Sequence, residues 1–190
     1  MKKSIGAKEI GFPNPVYIVC TYDDEGKANA MNVAWAGMMG GKNPTVAISI
    51  RPGRYSHNNL VNRKAFTMCI PSQEYMQEAD YLGMASGRNE NKLEKVGLTV
   101  DKSENVDAPY IKEFPYIMEC EITQNVDLES HTLFIAEIKD IKIDEDKMID
   151  DNSPDWDKIK PFAYDHAHSD YREVGDVVGK AFSAGKKFMK

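Results

Sequence analysis

The 190-residue chain is long enough to bury a core without disulfide or metal staples and fits a single domain, 1–190. Its net charge of −6 and pI near 5.3 exclude a general nucleic-acid binder, which needs a basic face to meet phosphates. No apolar run approaches the ~20 residues of a membrane span. Met1-Lys2-Lys3-Ser4 lacks the apolar stretch that follows in a signal peptide, so a cytoplasmic protein without membrane partners is expected.

Val16 to Tyr22 is rich in β-branched and aromatic residues, Asp23-Asp24-Glu25-Gly26 supplies a turn, and Lys27 to Val33 returns: a hairpin is expected. After a Gly-rich turn, Gly37 to Gly41, that breaks at Asn43-Pro44, Thr45 to Ile50 and Phe66 to Ile70 read as short apolar strands. Ser72 is placed to cap a helix whose apolar positions Tyr75, Met76, Ala79 and Leu82 recur at helical spacing, with Gly83 as its stop. A second helix of about two turns is expected over Asn89 to Val96, ended by Gly97. From Pro115 the strands resume. Tyr116, Met118, Cys120 and Ile122 alternate with Ile117, Glu119, Glu121 and Thr123, the pattern of a sheet with one wetter face. Leu133 to Ile143 is a longer strand whose pattern shifts near Lys139-Asp140, which suggests a bulge. The acidic stretch Asp144 to Asp157 reads as a surface excursion. Many strands and few long helices predict a mainly β, antiparallel barrel with peripheral helices.

Cys20, Cys69 and Cys120 are odd in number and lie in apolar runs, where a thiol acts as a small hydrophobe; no Cys-x-x-Cys pair supports a dithiol or iron–sulfur mechanism. Arg51-Pro52-Gly53-Arg54-Tyr55-Ser56-His57 has the makings of an anion site. Ser56 stands at an expected N-cap, where free N–H groups attract phosphate. Arg51 and Arg54 add fork-shaped donors that suit a phosphate monoester. The plain alternative is a capped helix with two solvated arginines.

The same stretch resembles the flavin reductase-like family and its flavoredoxin branch. The matching pieces are Asn29-Ala30-Met31-Asn32-Val33-Ala34-Trp35, Ser49-Ile50-Arg51-Pro52 and Arg54-Tyr55-Ser56. Ser86-Gly87 with Asn91-Lys92, Ser130-His131-Thr132-Leu133-Phe134-Ile135 and Gly179-Lys180-Ala181-Phe182-Ser183 follow in the family's order. The resemblance implies a split β-barrel that binds FMN and works as a homodimer. A flavin phosphate would then meet Arg51, Arg54 and Ser56. The amides of Asn29 and Asn32, donor and acceptor at once, suit the ring's polar edge, and Trp35 could cover its face. Without the resemblance, the asparagines read equally as turn or strand-edge residues and Trp35 as core. The resemblance carries over Val33, Ala34, Ser49, Ile50, Ser86 and Gly87 as cofactor-binding residues. Lys92 becomes a cation beside the ring edge that turns negative on reduction, His131 a partner of flavin or incoming nicotinamide, and Phe162 a residue near the flavin.

NAD(P)H is the candidate donor. The dinucleotide motif is absent, since Gly175, Gly179 and Gly185 have the wrong spacing and no strand–turn–helix precedes them. Nor is Gly179 to Lys187 a phosphate loop. A redox protein is the other candidate partner. His166 and His168 flank one residue beside Asp165, but no further ligand motif accompanies them, so no metal is expected. The chain departs from the family in having Gly83 and Met84 where a cysteine is often found ahead of the Ser-Gly pair. Asn32 stands where threonine is also frequent.

Overall fold

A computed structural model describes residues 1–189. Strands β1 (Asn14–Pro15), β2 (Tyr17–Tyr22), β3 (Ala28–Val33), β4 (Ala36–Met38) and β5 (Thr45–Ile50) lead into helix α1 (Tyr55–Arg63). Strand β6 (Ala65–Ile70), helices α2 (Met76–Met84) and α3 (Lys92–Lys95), and strands β7 (Val100–Lys102) and β8 (Pro109–Ile111) follow. The long strands β9 (Tyr116–Asp127) and β10 (Thr132–Ile143) come next. The remainder holds β11 (Met148–Asp150), β12 (Ser153–Pro154), α4 (Trp156–Ile159), β13 (Phe162–Asp165) and β14 (Asp170–Glu173).

The main sheet is antiparallel with strand order β3-β2-β6-β9-β10-β5-β4. Its two edge strands, β3 and β4, are consecutive in the chain and separated only by Ala34 and Trp35. A flat sheet of this order could not bring its edges two residues apart, so the sheet must curl. The Ser49 amide donates to the Trp35 carbonyl at 2.8 Å, carrying the β4–β5 pairing back into that two-residue link. The result is the split, half-closed barrel expected from the sequence, with one side of β3 left unpaired.

Alternating side chains fill the two faces separately. Val19, Ile48, Phe66, Met68, Cys120 and Phe134 pack inside the curl, where Leu60 of α1 covers one end. Ile18, Cys20, Cys69 and Ile117 pack on the outer face beneath Ala79 and Leu82 of α2 and Leu93 of α3. All three cysteines are free and buried. No helix among the described residues is long and apolar enough to cross a membrane.

The hairpin β2–β3 forms in full register, Tyr17 opposite Val33 to Tyr22 opposite Ala28, and the β9–β10 register shifts between Ile138 and Asp140, at the expected bulge. Four local expectations are corrected. Arg54, not Ser56, is the N-cap residue of α1, and it caps with no side-chain bond. Gly83 does not stop α2 but lies in its last turn, because a Cβ there would come within 3.1 Å of the Asn32 Cβ; bare backbone lets the helix seat on β3. The second helix is a single turn, capped by Asn91, although Gly97 follows it at φ +71° as expected.

The fourth correction concerns Glu119, read as facing water but wholly buried. The β7–β8 hairpin packs against β2 and β6, and its connecting loop reaches over to Glu119 and supplies the partners. Asn105 donates to one carboxylate oxygen from its backbone at 2.8 Å and its side chain at 3.0 Å, and Lys142 lies 3.6 Å from the other. Removing a buried carboxylate strands these donors. Glu119→Ala is therefore expected to lower stability by about 3 kcal/mol in urea unfolding. An unchanged midpoint would mean that the loop finds water instead.

Candidate functional site

The unpaired side of β3 borders two adjoining cavities of about 250 and 260 Å³ that share Met31 and Arg54. Together they fall within the roughly 300–1,000 Å³ of small-molecule and cofactor sites. The first brings together Asn29, Arg54, Ser56, Ser86, Gly87 and Lys92. The second collects Asn32, Val33, Ala34, Trp35, Ser49, Ile50, Arg51 and His131. Fourteen of the fifteen residues singled out from the sequence thus line one cavity or the other. Phe162 lines neither: it is buried on the outer core, edge-on to Tyr171 at 5.3 Å between ring centroids.

In the first cavity, β3 presents Asn29, whose amide donates to the Ser56 hydroxyl at 2.8 Å. Ser56 is the second residue of α1, at the end where backbone N–H groups lack intrahelical acceptors. Having accepted from Asn29, its hydroxyl keeps its own proton to donate. Gly87 closes the wall. A Cβ at Gly87 would lie 2.2 Å from the Asn29 Oδ1 and 2.8 Å from the Tyr55 ring, so no other residue fits.

Lys92 is 4% exposed, and its ammonium donates to the Leu82 carbonyl at 2.8 Å. Glu90, two residues before it, is taken by Lys95 at 2.6 Å and the Tyr81 hydroxyl at 2.7 Å. Burial, with the Arg54 charge acting in the same direction, pushes the Lys92 pKa down to about 8. A buried ammonium with no carboxylate of its own is costly, and an anionic ligand would relieve that cost.

In the second cavity, Arg51 Nε donates to His131 Nε2 at 3.3 Å, and His131 Nδ1 lies 2.9 Å from the Ser130 hydroxyl. Guanidinium can only donate, so Nε2 accepts in this contact, and the Arg51 and Ser130 bonds together orient the ring. Asn32 is tied to α2 through the Ala79 carbonyl at 3.1 Å. Trp35 meets the His166 ring edge-on at 5.2 Å and is 37% exposed. The His-x-His segment is engaged locally: Asp165 takes His168 and Arg172, each at 2.9 Å, while His166 bonds the Glu9 carbonyl.

Sequence reading missed Arg88 and Tyr55. Arg88 donates to the Gly53 carbonyl at 2.8 Å and lies 5.8 Å from the Tyr55 ring centre. The Tyr55 hydroxyl donates to Asp23 at 2.7 Å, which pushes its pKa up to about 12. The only signal was position: Arg88 directly follows the Ser86-Gly87 pair. Arg51, Arg54, Arg88 and Lys92 have no carboxylate partner among the described residues. The donor set fits a ligand that joins an anionic group to a flat polar ring.

A curled antiparallel half-barrel with a cation-lined cleft along its free edge strand is the split-barrel class of fold. The chain belongs to the flavin reductase-like family, whose domain model matches residues 10–172. It is similar to the flavoredoxin of Desulfovibrio vulgaris (Miyazaki F), at 42% identity over 97% of this chain and 100% of that one, with a TM-score of 0.93. Nitrilotriacetate monooxygenase component B from Bacillus cereus shares the fold at a TM-score of 0.80, with 20% identity over 89% and 88% of the two chains. A protein of Archaeoglobus fulgidus is 32% identical over 112 residues, which span 59% of this chain and 63% of that protein. Family and fold support a flavin-related redox function.

Proposed function

We propose that this protein is an FMN-dependent oxidoreductase that takes hydride from NADH or NADPH and works as a homodimer. The observation that carries this reading is the convergence of Arg51, Arg54, Arg88 and Lys92 on two joined cavities, without carboxylate partners, in a chain of net charge −6. Cations are concentrated there against the overall charge, as a phosphate and a ring that gains negative charge require. Bound FMN supplies the redox centre itself.

The chain's own residues hold and tune that group. Arg54, Arg88, Ser56 and the α1 N-terminus grip the phosphate by charge-assisted and backbone donors. Asn29 and Lys92 face the polar ring edge, where a fixed cation favours the reduced state. Trp35 shields a ring face, and Arg51 holds the His131 ring in place through its Nε2. Hydride transfer to a flavin needs no acid–base pair, which accounts for the lack of a triad or paired carboxylates in the cleft.

A second reading is an electron carrier with little use of pyridine nucleotides, favoured by the 42% identity to a flavoredoxin and by the lack of a dinucleotide glycine motif. Anaerobic mixing separates the two. The purified protein should absorb near ~450 nm, the signature of bound flavin, and bleach within seconds on adding NADH or NADPH. Bleaching only by a reduced ferredoxin-type protein would replace the reductase with the carrier. A flavin that exchanges electrons with neither would leave a binding module.

A further inference from the structure

Residues 174–189 form an arm in which every residue is exposed and whose backbone hydrogen bonds beyond Glu173 all close within the arm, as in Ala184 to Lys180 at 3.0 Å. Val177, Val178 and Phe182 are 88%, 105% and 99% exposed. Phe182 also has φ +57°, a left-handed conformation that costs a bulky residue about 1–2 kcal/mol, while its side chain stands in solvent. Exposed apolar surface of this kind marks an interaction site. The arm is basic: Lys180, Lys186 and Lys187 outnumber Asp176, so the rest of the chain is more acidic than the overall −6.

A complementary surface lies beside the flavin cleft. A groove of about 450 Å³ runs between Ile10, Trp35 and Leu128 and meets the second cavity at Trp35, Ser49 and His131. Leu128 is 48% and Ile10 38% exposed, and although Lys8 is present, Glu9, Asp127 and Glu129 stand on or beside the rim.

We propose that the arm of one copy seats in this groove on a second copy, and reciprocally, with Phe182 against Ile10, Trp35 and Leu128 and its lysines toward the acidic rim. Sixteen residues span at most about 55 Å when extended, enough to cross a neighbouring subunit. Such a contact uses the same patches on both chains, as a two-fold dimer requires. The partner's arm then walls the Trp35–His131 side of the cleft, so each flavin site is completed by the other subunit. The proposal rests on the homodimer read above.

Sedimentation and thiol pairing test it on the flavin-loaded protein. The full chain should run as two chains at micromolar concentration. A chain ending at Glu173 should keep its native circular dichroism yet associate at least tenfold more weakly, with a midpoint that falls only as far as the lost association requires. Chains carrying Phe182→Cys mixed with chains carrying Leu128→Cys should form an interchain disulfide, the native cysteines being buried. A truncated chain that dimerises with unchanged affinity overturns the arm's role but leaves the dimer standing. A full chain that stays monomeric overturns both. A disulfide that forms only within a doubly substituted chain on dilution would show the arm folding onto its own body, and overturns the exchange. Absorbance near ~450 nm, read on each sample, reports separately on the flavin assignment.

Discussion

Lys92→Met should weaken FMN binding by about 100-fold, roughly 2.7 kcal/mol, and lower the midpoint potential of any flavin that remains bound by tens of millivolts. The substitution preserves most of the buried stem while removing the one cation that is 4% exposed and has only the Leu82 carbonyl as its partner. Truncating a desolvated charge that faces an opposite charge costs about 2–5 kcal/mol, far above the contribution of a surface pair. Titration of the apoprotein with FMN reads the first effect and an anaerobic redox titration the second. If both are unchanged, Lys92 does not face the ring.

The same residue imposes a pH signature. With its folded pKa near 8, Lys92 loses charge as pH rises through that value, so wild-type FMN affinity should fall by up to about tenfold per unit above it. The apoprotein should behave in the opposite sense. Between about 8 and the unfolded value near 10.4, the unfolded chain binds more protons, so the contribution of this group to stability rises with pH there. Lys92→Met should flatten both profiles.

Gly87→Ala should lower stability by about 2 kcal/mol and FMN affinity by at least about tenfold, because a methyl group would sit 2.2 Å from the Asn29 Oδ1. Asn29 cannot retreat without breaking its 2.8 Å bond to Ser56, and the Tyr55 ring, 2.8 Å from the new atom, blocks the other direction. Asn29→Ala in the same chain would relieve the clash, so the double variant should be more stable than Gly87→Ala alone, a non-additivity of contacting residues. Its FMN affinity should stay low, since the amide is gone. Simple additivity of the two changes in urea unfolding would show that the wall yields at Gly87 by another route.

The alternation of apolar and polar residues, with turn residues between, was enough to locate the long strands: Thr45–Ile50 and Tyr17–Tyr22 carry their β-branched pattern locally. Residue types alone left the cleft open: arginine and serine suit a phosphate but also a plain helix start, and it was the family resemblance that singled out the asparagines, Trp35, Lys92 and His131. What local sequence could not reveal is which partners arrive from afar. Glu119 looks solvent-facing until the 104–105 loop folds over it, and Lys92 looks solvated in a polar run until its single helical turn tucks it under Leu82. Gly87 and Arg88 acquire meaning only against Asn29 and Gly53, more than thirty residues away in the second case. Likewise, the cleft exists because β3 and β4, neighbours in the chain, end at opposite edges of the sheet. Periodicity records which side of an element is apolar; burial of a charge, and the free edge beside it, depend on long-range packing that only the closed-up chain decides.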